Sequence, residues 1–378
     1  MNKHAQNPVR STNNGTVLIV NPSSSGGSTG KNWDAFYIKL KEFFGENPEI
    51  VFTSKSGDGS ALAREYLKKG FKNIVAIGGD GTINEVINGF FLFDEDDSKE
   101  SAAKTARDVG SGGGINTTDD ISHNTSIPAT NSVIAEPPTL RKINPDAVFG
   151  IVSSGTRNVL AKSLDLPSGG FECCKHYAAS KTQKKIDVIS ATATNFPDNE
   201  NNQLQAISTR VFLNAAEIGV AAEIIDRSKK IRDKVKSRIV STVSSVVATL
   251  PTYESNLCEI CIDDGRENIL TKMTMAVVAN GQYLGGGFKV APQASMSDGL
   301  LDIVIIKNSG SFKMLEEFMS IKNGKYTRDD NDIIYIRAKK VSIKPKEEKK
   351  ITVTIDGEPI GILPATFQVY QSALTIKG

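Results

Sequence analysis

The sequence predicts an α/β protein in two parts: an N-terminal doubly wound domain around a parallel sheet, then a second, mainly antiparallel β-sandwich domain. Three observations predict it. Short β-branched runs alternate with helical periodicity up to about residue 183. Period-two stretches dominate from Lys184 onward. The chain has 378 residues, too long for one ordinary domain and comfortable for two.

The elements follow in order. Val17–Val20 is a buried strand stopped by Asn21-Pro22, and after a Ser/Gly-rich loop Trp33–Phe44 has helical spacing. Ile50–Thr53 reads as a second strand, Ser60–Lys69 as a second helix and Asn73–Ile77 as a third strand. That strand runs into Gly78-Gly79-Asp80-Gly81-Thr82 and a helix over Ile83–Phe91. From Asp94 to about Asn144 Asp, Ser, Thr, Gly and Asn dominate and no aromatic residue occurs, so 94–144 is expected to be a flexible insertion. Ala147–Val152 is the next strand, followed by helices over Arg157–Leu164 and near Phe171–Ser180. This first domain spans 15–183.

The second domain, 184–363, is expected to carry strands at Ile186–Ala193, Leu204–Ala215, Tyr253–Ile262, Thr271–Ala279, Leu301–Ile306, Ile333–Ile336 and Ile351–Ile355, with a last strand at Ala365–Leu374. Helices near Ala221–Leu250 and Phe312–Ile321 interrupt them, and Asn195–Asn202 is a polar hairpin tip.

Composition narrows the function. Hydrophobic residues make up 39% and charged residues 23%, enough to build cores. Lys+Arg 45 against Asp+Glu 43 leaves +2, which gives no electrostatic reason to bind nucleic acid. Cys173, Cys174, Cys258 and Cys261 make no disulfide framework. Cys258 and Cys261 have C-x-x-C spacing but lie in a strand pattern without a second Cys or His pair, so zinc is not expected. Reduced thiols, an N-terminus without an apolar core and the absence of a long apolar run point to a cytoplasmic protein.

The most informative segment is Gly78–Thr82. Consecutive glycines after a strand permit positive φ and bare backbone, so amide N–H groups at a helix N-terminus can converge on a phosphate. Asp80 is either placed to touch a metal or water beside that phosphate, or is a simple cap. Asn21–Gly30 and Ser153–Asn158 form two further glycine loops after early strands, at the edge where open α/β sheets bind ligands. Neither matches the Walker or the dinucleotide pattern.

With these residues in hand, the chain resembles the diacylglycerol kinase catalytic-domain family, which includes bacterial diacylglycerol kinase-like lipid kinases and, more distantly, sphingosine kinases. Asn21–Gly27, Thr53–Asp58 and Gly78–Val86 follow its first three motifs. Ser153–Ala161 follows the fourth, with Ser153 for a proline and Val159 for an acid. Lys185–Val188, Phe212–Ala222, Pro292–Asp302 and Asp356-Gly357-Glu358 follow the later ones.

The resemblance implies an NAD kinase-like first domain to which a C-terminal strand within 364–378 returns, with ATP held between the domains. It implies ATP contacts from Asn21, Thr53, Gly78, Gly79, Asp80, Gly81, Thr82, Asn84, Gly155 and Thr156. Asp356 is implied as the general base. Asp80, Asp187 and Glu358 are implied as acids that place catalytic Mg²⁺ through waters. Asp298 with the carbonyls of Ser295 and Leu300 is implied to hold a structural Mg²⁺. Read without the resemblance, Asp356-Gly357 is a favoured hairpin turn, Asp298-Gly299 is an ordinary turn, and Asp187 is a strand residue able to face solvent. Arg157, two residues before Val159, either pairs with a phosphate or points to solvent.

Arg227–Leu250 begins with seven basic residues (Arg227, Lys229, Lys230, Arg232, Lys234, Lys236 and Arg238) and then turns apolar, which suits either a solvated face or peripheral contact with a membrane carrying a lipid substrate. The expected activity is ATP- and Mg²⁺-dependent phosphorylation of a primary hydroxyl on diacylglycerol, a related glycerolipid or a long-chain base. An NAD kinase-like enzyme and a non-catalytic nucleotide- or lipid-binding regulator are the rivals. The resemblance also admits a homodimer.

Overall fold

The computed structural model describes residues 15–44, 48–93, 137–155, 157–197, 207–220, 253–307 and 332–377, with Ile224 and Ser320. The first lobe opens with β1 (Thr16–Val20), α1 (Ser28–Lys31), α2 (Trp33–Phe44), β2 (Glu49–Phe52), α3 (Asp58–Lys68), β3 (Asn73–Gly78) and α4 (Asp80–Asn88). It continues through β4 (Phe91–Phe93), β5 (Leu140–Lys142), β6 (Val148–Ser153), α5 (Val159–Ser163) and α6 (Gly170–Ala179). β6, β3, β1 and β2 lie side by side, all parallel.

Val17, Leu18, Ile19 and Val20 are all fully buried, because successive side chains enter opposite faces and both faces are covered. Ile19, Ala76 and Ile151 pack with Ile83 and Leu67 on one face. On the other, Leu18, Val75 and Val152 pack with Leu40, Cys174 and Tyr177. A doubly wound sheet results, as the alternation predicts.

In the first lobe, the helix after the glycine turn and the close of the insertion differ from the sequence reading. The helix after the glycine turn ends at Asn88 rather than Phe91, and Gly89 follows it packed so close to Ser60 O that an added Cβ would lie 2.5 Å away. Phe91–Phe93 instead pairs antiparallel with Leu140–Lys142, so the insertion closes before Asn144 on a small ladder, and Ile143 N–H donates to Phe90 O at 2.9 Å. Residues 94–136 of that insertion lie outside the described residues.

The second lobe comprises β7 (Gln183–Thr194), β8 (Ile207–Phe212), β9 (Ala215–Gly219), β10 (Asn256–Ile262), β11 (Glu267–Ala279) and β12 (Leu301–Lys307). It ends with β13 (Ile333–Ala338), β14 (Lys340–Pro345), β15 (Thr352–Ile355) and β16 (Glu358–Lys377). The run Leu204–Ala215 is two strands, turned at Leu213-Asn214, and β14 had no counterpart in the reading. The antiparallel pairings β9–β15–β16–β14–β10–β11 return to β9, closing the sandwich around Ile260, Ile343, Val353 and Phe367. Cys258 is buried in that core while Cys261 is half-exposed, so strand alternation sends the two thiols to opposite faces.

β7 and β16 are the bridge between lobes. They pair from Ile362 to Lys377, and Thr375–Lys377 also pair in parallel with Val148–Gly150 of β6. The final strand therefore does return to the first lobe, and the boundaries at 183/184 and 363/364 fall inside or at the end of these two strands. Among the described residues, all strands but β4 and β5 form one 14-stranded sheet. The helices expected near Ala221–Leu250 and Phe312–Ile321 lie almost wholly outside the described residues. Among the described residues no helix is long and apolar enough to cross a membrane.

Candidate active site

β1, β3 and β6 end together, so their following loops meet. Asn21 Nδ2 donates to Thr82 Oγ1 at 2.9 Å, tying the first loop to the glycine turn. The hydroxyls of Ser24 and Thr29 share a 2.6 Å hydrogen bond, and Ser24 Oγ lies 3.2 Å from Ser154 Oγ in the loop after β6. Thr53 N–H extends the β1–β2 ladder by donating to Val20 O at 2.9 Å. Glu85 holds the second loop, accepting from Gly57 N–H at 3.0 Å, Gly59 N–H at 3.1 Å and Ser56 Oγ at 3.2 Å.

Glycine is required here for close approach rather than for positive φ. Gly79 is extended at φ −86° and ψ −178°, and neither Gly78 nor Gly81 is left-handed. A Cβ on Gly155 would stand 2.5 Å from Gly79 Cα, and one on Gly78 would stand 2.6 Å from the Thr82 side chain. The bare backbones of the third and fourth loops thus touch, forming a shallow cradle beside the N-terminus of α4. Thr156 lies outside the described residues.

Asp80 opens α4 yet reaches across to α5. Its two oxygens accept from Val159 N–H and Leu160 N–H, each at 3.3 Å, so it caps the neighbouring helix rather than its own. Burial raises its pKa above the usual carboxylate range, against the pull of the α5 amides and Arg157. An acid at position 159 would place a second negative charge at this helix start; Val159 leaves Asp80 alone there.

One turn along α4, Asn84 Nδ2 donates to Asp356 Oδ2 at 3.0 Å and to Val211 O at 3.3 Å. Asn88, a turn further, accepts from Val211 N–H at 2.8 Å and donates to Val211 O at 2.9 Å. Asp80, Asn84 and Asn88 lie on one face of the helix, and this face carries the glycine cradle to the second lobe.

Asp356 and Gly357 form the turn between β15 and β16, with φ of 47° and 84°. This is the hairpin the bare sequence suggests, and it is also what presents the carboxylate. Oδ1 accepts from Asn214 N–H at 3.1 Å and Ala215 N–H at 3.2 Å, while Oδ2 accepts from Leu213 N–H at 3.3 Å besides Asn84. Burial raises the Asp356 pKa, and these four donors draw it part of the way back. Glu358 is exposed and reaches the cradle, its Oε1 lying 3.6 Å from where a Cβ on Gly81 would be. Arg157 reaches the same turn from the fourth loop, with Nη1 3.9 Å from the Cβ position of Gly357 and 3.8 Å from that of Gly285.

Asp187 does not join this group by any described hydrogen bond. It is fully buried, not solvent-facing, and its oxygens accept from Gly299 N–H and Ser372 N–H, each at 2.7 Å. Its observed work is to clip the turn at 298–300 and the bend in β16, which corrects its assignment among the cradle acids. The residues expected to hold structural Mg²⁺ also have a different arrangement. Asp298 Oδ1 accepts from Leu300 N–H at 3.1 Å, and Oδ2 is bonded by the Arg337 guanidinium. Ser295 and Leu300 flank this turn, but its carboxylate already has a cation. The turn does not fit a divalent ion. Among the described residues no three His, Cys, Asp or Glu side chains converge as a metal cluster.

For ATP the fit is good. The touching Gly79 and Gly155 backbones, the α4 N-terminus and the exposed Glu358 beside Gly81 suit a polyphosphate with its magnesium. Glu85, Asn88, Asn214 and Arg337 escaped the sequence reading, although Glu85 and Asn214 stood inside quoted motifs.

Two lobes joined by a long ribbon, with a glycine cradle on one and a half-buried carboxylate delivered by the other, define a kinase-like scaffold. Residues 15–110 match the diacylglycerol kinase catalytic domain, and residues 214–378 match the YegS C-terminal NAD kinase beta sandwich-like domain. Two family models thus fall on the two lobes, and the chain is similar to the diacylglycerol kinase catalytic-domain family. Similar proteins include the diacylglycerol kinase of Bacillus subtilis (strain 168), 23% identical over 93% of this chain and 91% of the relative. A diacylglycerol kinase of Staphylococcus epidermidis (strain ATCC 12228 / FDA PCI 1200) is 24% identical over 93% and 87%. The fold is shared with a solved structure of a diacylglycerol kinase from Bacillus anthracis str. Sterne, with a TM-score of 0.60, 21% identity and 96% of each chain covered.

Proposed function

We propose that this protein is an ATP- and Mg²⁺-dependent lipid kinase that moves the γ-phosphate of ATP onto a primary hydroxyl of diacylglycerol or a related glycerolipid. The single observation carrying this reading is the Asn84–Asp356 hydrogen bond, which sets a basic carboxylate against the helix that starts at the phosphate cradle. The names of the relatives support the acceptor class.

In this reading Gly79, Gly81, Gly155 and the first amides of α4 hold the triphosphate, with Asn21 and Thr82 keeping the loops in register. Asp80 and Glu358, the carboxylates flanking Gly81, would hold a Mg²⁺ ion bound with the nucleotide, which would supply neutralisation of the phosphate charge. Asp356 takes the hydroxyl proton as the acceptor oxygen attacks. Its raised pKa makes it a stronger base than an exposed aspartate, and Asn84 with the Leu213–Ala215 amides fixes its orientation. The acceptor is a membrane lipid, so the enzyme works as a peripheral protein at the cytoplasmic membrane face; the basic segment 227–250 lies outside the described residues. The test is incubation with ATP, Mg²⁺ and either total lipid extract or NAD, with mass spectrometry of the products. A phosphorylated glycerolipid supports the reading, and phosphorylated NAD alone refutes it.

A further inference from the structure

The turn at Asp298 poses a charge problem that the kinase reading does not touch. Asp302 is the second residue of β12 and fully buried, and Asp298 is only four residues earlier, so two carboxylates lie at one end of the second lobe. Burying ionised carboxylates without a cation is costly. In this chain the cation comes from the neighbouring strand. β13 pairs with β12 so that Arg337 stands opposite Asp302. The Arg337 guanidinium bonds Asp298 Oδ2, and its Nε lies 3.5 Å from Asp302 Oδ2. Tyr335, two residues back and therefore on the same strand face, donates its hydroxyl to Asp302 Oδ1. Asp187 clamps the turn from the other side through Gly299 N–H.

We infer that the guanidinium of Arg337 is a built-in substitute for a divalent ion at this turn, so that the second lobe folds without metal. A planar, permanently charged fork suits two carboxylates, and being covalently attached it cannot be chelated away. Any metal dependence of the protein then belongs to the nucleotide site alone.

The experiment is thermal unfolding of the full chain without nucleotide, in EDTA and in millimolar Mg²⁺. The wild type is expected to melt within about 1 °C in both. Arg337→Met, which empties the cation position, is expected to melt at least about 3 °C lower in EDTA and to recover part of that loss in Mg²⁺. Asp298→Asn added to Arg337→Met abolishes the recovery. Arg337→Lys keeps a charge there and stays insensitive to EDTA, a readout that survives if Arg337→Met does not fold. A wild-type melting point that falls in EDTA overturns the inference, and so does an Arg337→Met protein whose stability ignores Mg²⁺. Neither result depends on catalysis, so failure here is separate from failure of the kinase reading.

Discussion

Asn84 Nδ2 and Asp356 Oδ2 lie 3.0 Å apart although 272 residues separate them in the chain. Through this bond a helix rooted at the glycine cradle holds the carboxylate of the opposite lobe. Asn84→Ala removes one of four donors at Asp356, which costs about 1 kcal/mol of stability. The expected fall in kcat is larger, about 10²-fold, because a base displaced by an ångström is badly aimed. Steady-state kinetics beside a melting curve separate the two effects.

The raised pKa of Asp356 fixes the direction of the pH profile. The base works only when deprotonated, so activity is lost as pH falls through a value above the ordinary carboxylate range. Asn84→Ala removes a donor that favours the charged form and moves this acid limb to higher pH. The limb of kcat against pH, measured from about pH 4.5 to 8 with stability monitored, is the check.

The cradle glycines should respond unequally. Alanine at 155 places a methyl group 2.5 Å from Gly79 Cα and must push the loops apart, whereas alanine at 79 meets Gly155 Cα at 3.4 Å in an ordinary extended backbone. Gly155→Ala is expected to lose about 1–3 kcal/mol of stability and weaken ATP binding. Gly79→Ala is expected to keep its melting point and weaken ATP binding alone. Calorimetric titration with ATP and a melting curve for each variant decide it.

Arg157 lies beside Gly357 and within the field of Asp80, so under the proposed function its charge would face the transferred phosphoryl group. Arg157→Ala is expected to lower kcat/KM for ATP by about 10²-fold, with Arg157→Lys recovering part. Equal kinetics for wild type and Arg157→Ala would mean that the guanidinium only bridges the lobes.

Much of this was legible in the residues. Buried β-branched runs such as Val17–Val20 announce a covered parallel sheet, and Gly78–Thr82 announces a tight approach after a strand. Of the two reasons for the glycines, bare backbone holds and positive φ does not, because φ is not written in the sequence; contact between Gly79 and Gly155 exists only once two loops meet. Asp187 and Asp298 failed for a related cause. Motif position gave both a metal role, but their partners, Ser372 and Arg337, come from strands β16 and β13, and long-range pairing has no local signature. The hairpin turn at Asp356-Gly357 was legible because it is local, although the amides of Leu213–Ala215 that hold its carboxylate are not.

The most direct test is transfer of label from γ-labelled ATP to diacylglycerol in mixed micelles by wild type and Asp356→Asn. Wild type should yield labelled, organic-soluble phospholipid, and a folded Asp356→Asn should be slower by about 10³-fold or more. A folded Asp356→Asn enzyme working at the wild-type rate would contradict the central role given to this carboxylate.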